Sequence, residues 1–131
     1  MYTKTSHGIK VSLNPVYAES NNQDKLGHIW LYHVLIENHS SKTVQLISRY
    51  WKIIDAMGST EEVQGDGVVG KQPILHSNEM FEYSSYVTLN TETGMMSGKY
   101  IMEVTDNPGE MLEVEIPAFS LETPYSNILI N

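Results

Sequence analysis

Apolar and polar residues alternate with a period of two over most of this chain, and helical spacing is scarce. In Ile9-Lys10-Val11-Ser12-Leu13 the three aliphatic side chains share one face of an extended segment. Pro15 follows, which predicts an edge position or a kink, because proline cannot donate to a strand ladder. Asn21-Asn22-Gln23-Asp24 reads as a polar loop. From His28 to Glu37 the pattern predicts the strongest strand, with Trp30, Tyr32, Val34 and Ile36 on one face. Its other face, with Ile29, Leu31, His33 and Leu35, is also rather apolar for a solvated sheet face. Asn38-His39-Ser40-Ser41-Lys42 then predicts a turn.

Val44 to Ile54 is strand-like with a change of phase. Val44 and Leu46 set one alternation, and Trp51 and Ile53 set the other. A bulge near Ser48-Arg49 brings both pairs to one face, because an inserted residue reverses the alternation. Thr60 to Gln64 predicts a short strand. Met80 to Thr88 places Phe81, Tyr83 and Val87 on one side, with Met80 and Tyr86 on the other. Met96 to Val104 and Met111 to Ile116 predict a hairpin around Asp106-Asn107-Pro108-Gly109, where proline presets one backbone angle and glycine tolerates a positive one. Leu112, Val114 and Ile116 face one way in it, and Glu113 and Glu115 the other.

About seven short antiparallel strands with frequent turns predict an all-β sandwich with Greek-key-like connections. At 131 residues the chain suits one domain, 1–131, and its 40% hydrophobic content supplies a core. The tail Tyr125-Ser126-Asn127-Ile128-Leu129-Ile130 is apolar for a terminus and is expected to pair or pack. With 16 acidic against 8 basic residues the net charge is -8, which argues against extended nucleic acid as a partner. There is no cysteine, so disulfides and thiolate chemistry are excluded. No apolar signal core opens the chain and no stretch predicts a membrane span, so a cytoplasmic protein is expected.

One run carries a ligand signal: Gly65-Asp66-Gly67-Val68-Val69-Gly70, spaced as G-x-G-x-x-G. A dinucleotide loop of that spacing needs a strand before it and a helix after it. The following Lys71-Gln72-Pro73-Ile74-Leu75 shows no helical periodicity, so the run predicts a tight connection between strands. The alternative is an anion nest of successive amides, which needs no helix. Gly65, Gly67, Gly70 and Arg49 are then the candidate site for a nucleotide or pyrophosphate, with Asp66 opposing it. Arg49 next to Tyr50 and Trp51 fits either an arginine stacked on a ring or paired with a carboxylate, or part of a recognition surface.

Several of these segments together resemble a known family. Val44-Gln45-Leu46, Arg49-Tyr50-Trp51, Glu62 through Gly70, Gln72-Pro73, Met96-Ser97-Gly98-Lys99-Tyr100 and Ile116-Pro117-Ala118-Phe119 are similar, in order and spacing, to the ApaG domain. The resemblance covers nearly the whole chain and implies an immunoglobulin- or fibronectin-type-III-like sandwich. It also implies a bacterial association with cobalt and magnesium efflux or resistance, genes often placed beside a dinucleoside-tetraphosphate hydrolase, and a protein-interaction role in larger eukaryotic proteins. The loop Leu89-Asn90-Thr91-Glu92-Thr93-Gly94 departs from the family in lacking a proline often found there.

His7, His28, His33, His39 and His76 show no metal-ligand spacing, and His28 and His33 fall on opposite strand faces. Glu61, Glu62 and Asp66 form no evident cation cage. No G-x-S-x-G, H-E-x-x-H or Walker-type loop is present, so no catalytic residue, cofactor or metal site is assigned. Leu31, Leu35 and the tail are candidates for an apolar patch that is covered within the chain, pairs two copies as a homodimer, or docks a partner. The sequence therefore predicts a non-enzymatic module that binds another protein, or alternatively a nucleotide- or pyrophosphate-binding protein.

Overall fold

The computed structural model of the protein describes residues 1–18 and 27–124. These form nine strands: β1 (Tyr2–Ser6), β2 (Ile9–Ala18), β3 (His28–Asn38), β4 (Val44–Asp55), β5 (Thr60–Asp66), β6 (Ile74–Leu75), β7 (Met80–Leu89), β8 (Thr93–Val104) and β9 (Met111–Glu122). One sheet runs β1-β2-β3-β7 and the other β5-β4-β8-β9, with β6 also on β4. All pairings are antiparallel. The sandwich is the expected one. The seven expected strands are all present, and β1 and β6 are additions to them. The expected loop at Asn21–Asp24 and the apolar tail from Tyr125 lie outside the described residues.

Strand phase decides what is buried. On β3 the inward set Trp30, Tyr32, Val34 and Ile36 is buried. On β4 the register shifts between Leu46 and Ser48, so Ile47 is the inserted residue. Val44 and Leu46 before it and Trp51 and Ile53 after it are all buried, the phase reversal expected of a bulge. On β9 a second shift lies opposite Met96–Gly98. It falls at Pro117, a residue that a bulge tolerates because no amide is needed there. Beyond it Phe119 and Leu121 enter the core, so this strand runs six residues past the expected end at Ile116. Pro15 sits beyond the end of β1, whose pairing stops at Tyr2↔Leu13, and there β2 is an edge as proline requires.

Between the sheets Tyr32, Trp51 and Phe119 form an aromatic cluster with centroids 5.4 to 6.2 Å apart, tilted and edge-to-face as ring quadrupoles favour. Two polar side chains tie the layers and turns together. The Trp30 indole donates to the Glu122 carbonyl at 2.9 Å, linking β3 to β9. Asn38 is 0% exposed. Its amide nitrogen donates to the carbonyls of Lys42 and Leu75 at 2.7 and 3.0 Å. Its carboxamide oxygen accepts from the Ser40 amide and hydroxyl at 3.0 and 2.6 Å. The β3–β4 turn and β6 are thus held by one residue.

Removing it takes a partner from the buried Leu75 carbonyl and from three part-buried groups of Ser40 and Lys42, and an unmet buried group costs about 1–3 kcal/mol. Asn38→Ala is expected to lower unfolding free energy by about 3 kcal/mol in urea titration. A change below 0.5 kcal/mol, the range of ordinary surface substitutions, would contradict this role.

Candidate functional site

The glycine run begins inside a strand. Gly65 belongs to β5 and lies directly opposite Arg49 on β4. Arg49 shares its parity with Trp51 and Ile53, so the bulge at Ile47 turns it toward the space between the sheets. Its guanidinium lies across Gly65: a β-carbon there would sit 2.7 Å from Nη1 and 3.0 Å from Nη2. Glycine at 65 is therefore the space the arginine occupies. Nη1 donates to the carbonyls of Asp66 and Gly67 at 3.2 and 3.0 Å. Alternation puts the Asp66 side chain on the opposite face of β5 from Gly65. Among the described residues, no carboxylate lies within 4.0 Å of Arg49 and no acceptor meets Nε or Nη2.

After β5 the chain makes a tight reversal. Val69 and Gly70 have φ of 42° and 78°, between Val68 and Lys71, which pair reciprocally through their backbones at 2.8 and 2.9 Å. Two positive φ values are those of a type I′ hairpin turn. The Gly67 amide is held by the Ile47 carbonyl at 2.8 Å. Gln72 Nε2 reaches the same carbonyl at 2.9 Å, and the Leu46 amide donates to the Pro73 carbonyl at 3.0 Å. The loop thus continues along the edge of β4 into β6, and no helix follows Gly70. The amides of Gly67, Val68 and Lys71 are committed to backbone, whereas those of Val69 and Gly70 face the loop tip without a partner among the described residues.

Beside Arg49 is a cavity of about 150 Å³ lined by Tyr32, Arg49, Trp51, Val68, Val69, Tyr83 and Ser85. Behind it the hydroxyls of Tyr83 and Tyr100 are 2.5 Å apart. Burial holds Tyr83 and Tyr100 well above tyrosine's usual value of 10.0, against smaller opposing effects that include the positive charge of Arg49. Tyr32 is also raised by burial, while hydrogen bonding with Ser85 and the Arg49 charge lower it. These hydroxyls are therefore protonated at neutral pH. The sequence pattern alone gives Tyr32, Tyr83, Tyr100 and Ser85 no site role. The signal was available: tyrosines in the inward phase of three strands need partners for their hydroxyls.

Tyr50 and Trp51, adjacent to Arg49, part company. Trp51 enters the core. Tyr50 points outward, donating to Glu62 at 3.1 Å beneath the Lys99 ammonium. On the outer face of β3 and β7, His33 Nδ1 lies 2.9 Å from the Ser84 hydroxyl and Nε2 lies 3.2 Å from Glu82. His33 is directly across from Ser84, so this is a cross-strand polar row on an open face where all three side chains are exposed. It lacks the enclosed donor set that acyl transfer uses. No group of three or more His, Asp or Glu side chains converges as a metal site among the described residues. No described helix is long and apolar enough to cross a membrane.

The outer face of the β1-β2-β3-β7 sheet also carries an apolar row. Val16 pairs with Leu31 and Leu31 with Tyr86, and their exposures are 54%, 49% and 67%. Leu35, on the same face, is only half-buried.

Two packed antiparallel sheets make this an immunoglobulin-like β-sandwich domain. Residues 18–124 match the model of the ApaG domain, and the chain belongs to that family. It is 46% identical to Protein ApaG of Brucella abortus (strain S19) and 44% identical to Protein ApaG of Parvibaculum lavamentivorans, each over 132 aligned positions covering both chains completely. The crystal structure of the putative ApaA protein from Bordetella pertussis is similar, at 35% identity and a TM-score of 0.82 over 95% of this chain and 98% of that one.

Two outcomes are expected from this geometry. Gly65→Ala forces the guanidinium aside and lowers stability by about 1–3 kcal/mol, as overpacking does; an unchanged urea midpoint would show that Arg49 lies elsewhere. A raised tyrosine value in the folded state means the unfolded chain releases its proton first, so stability is full below pH 10 and falls as pH rises beyond it. Denaturant midpoints measured from pH 8 to 11 should show that fall, and Tyr83→Phe should make it shallower; parallel profiles would contradict the assignment.

Proposed function

We propose that this chain is a non-enzymatic module that binds another protein through the outer face of the β1-β2-β3-β7 sheet. The supporting observation is the row Val16, Leu31 and Tyr86, three exposed apolar side chains in direct cross-strand register. Adjacent apolar side chains on a solvated face have an energetic incentive to be covered, and tyrosine is enriched where contacts carry binding energy. β7, which carries Tyr86, ends its sheet among the described residues. A role in cobalt and magnesium efflux would be exercised indirectly, by docking onto a partner that handles the ion, and a cytoplasmic location suits that role.

Leu31→Ser and Tyr86→Ser together should abolish capture of the partner while shifting the melting temperature little, because both sites are exposed. Retained capture by a folded double variant would remove this face from the reading. Sedimentation of the wild-type chain distinguishes the homodimer: a dimer that the same double variant dissociates makes the partner a second copy.

A second reading rests on the Val69 and Gly70 amides of the tight turn beside Lys71, which meet no partner among the described residues. A nucleotide or pyrophosphate would then sit against the loop of Gly65, Gly67 and Gly70 near Arg49, with the Val69 and Gly70 amides supplying the anion nest. Pyrophosphate titration should shift the amide resonances of Gly67 through Lys71 saturably under this reading, and silence there at millimolar ligand would end it.

A further inference from the structure

We propose that the cavity at Arg49 is a binding site for a single carboxylate carried on a compact apolar body. This site lies on the inner side of the loop, between the sheets, and depends neither on the outer apolar row nor on the loop-tip amides.

The case begins with donors. Arg49 has five N–H groups in a fixed fork, and its described partners, the carbonyls of Asp66 and Gly67, are both met by Nη1. Those two bonds, with Gly65 beneath, hold the guanidinium in place before any ligand arrives. The half-buried charge meets no carboxylate among the described residues. A cation drawn toward an aromatic interior without a counter-ion is an arrangement that an incoming anion stabilises.

The hydroxyls add to it. Tyr100 is fully buried, and its described hydrogen-bond partner is Tyr83. If Tyr83 donated to Tyr100, the Tyr100 proton would be left buried and unmet, which is costly. The favoured arrangement has Tyr100 donate to the Tyr83 oxygen, freeing the Tyr83 proton for the cavity that Tyr83 lines. Ser85 lies directly across from Tyr32 on the adjacent wall, and both line the cavity. The cavity therefore presents a fixed guanidinium and phenolic protons, a donor-rich set that calls for an acceptor.

Size and charge choose among anions. A volume of about 150 Å³ matches what a benzene-sized group occupies. Trp51, Val68 and Val69 supply apolar walls to such a body. One guanidinium balances one negative charge. A pyrophosphate brings several, and burying the surplus beside aromatic rings carries a desolvation cost with nothing to offset it. The same chemistry is available from a free monocarboxylic acid and from the terminal or side-chain carboxylate of a peptide.

Benzoate is the direct probe, with benzamide as its neutral isostere. In a titration of the uniformly labelled protein, benzoate should move the Arg49 Nε–H and Trp51 indole resonances saturably, and benzamide should not. Arg49→Gln should weaken benzoate by roughly tenfold or more, the scale of a lost charge-assisted contact. Tyr83→Phe and Ser85→Ala, which keep the loop's anchor, should weaken it severalfold; they decide the matter if Arg49→Gln does not fold. A short peptide with a free C-terminal carboxylate, compared with its amide, tests the second source. Binding of either benzoate or the free-acid peptide that depends on Tyr83 and Ser85 supports the site and names its source. No saturable shift from either acid, equal binding of benzamide, or unchanged affinity in both Tyr83→Phe and Ser85→Ala overturns it.

Discussion

The organisation of this molecule turns on one cross-strand pair, Arg49 against Gly65. An inward-facing arginine between two sheets has to find room and partners at once. Glycine opposite provides the room, and the carbonyls of Asp66 and Gly67 provide partners at 3.2 and 3.0 Å. The bulge at Ile47 makes the pair possible by reversing the phase of β4. Without it, Arg49 would face solvent and Trp51 would leave the core. The same bulge exposes the Ile47 carbonyl, which the Gly67 amide and the Gln72 side chain then take. Strand phase, loop path and the chemistry of the interior are consequences of a single inserted residue.

The polar groups of the interior are arranged in matching fashion. Asn38 closes one end of the sandwich with four hydrogen bonds. Trp30 ties β3 to β9 through its indole. The Tyr83–Tyr100 pair joins two hydroxyls between the layers through one hydrogen bond. Buried polar atoms destabilise unless bonded, so these contacts fix the relative placement of the sheets more narrowly than aliphatic packing alone. The Arg49 cavity differs, because its donors outnumber its acceptors. That imbalance marks it as the proposed place for a ligand, and the exposed outer row of Val16, Leu31 and Tyr86 as the proposed place for a larger partner.

Much of the architecture was legible in the sequence because burial follows phase. The alternation in His28–Glu37 and the phase change between Leu46 and Trp51 translated directly into the buried sets of β3 and β4. β1 was not legible: Tyr-Thr-Lys-Thr-Ser is a polar edge with one large apolar side chain, and pairing with β2 makes it a strand. β6 is two residues long, and its pairing to Val44 and Gln45 defines it. The end of β9 was hidden by Pro117, whose bulge breaks the alternation. The glycine run was visible as a loop, and the ApaG likeness was carried by ordered segments that full-length relatives share. The pairing of Arg49 with Gly65 was not visible, since register depends on long-range contacts. Nor was the convergence of Tyr32, Tyr83 and Ser85 on one cavity, which brings together residues from β3 and β7.

The most direct test of this account is the position of the Arg49 guanidinium in solution. At low temperature, nuclear Overhauser contacts between its Nη protons and the α-protons of Gly65, together with slowed rotation about the Nε–Cζ bond, are expected, because the group lies across that glycine and is bonded to two carbonyls. A freely rotating guanidinium whose contacts run instead to the outward Lys52 or the Asp66 carboxylate would contradict the inward pair and the cavity chemistry built upon it.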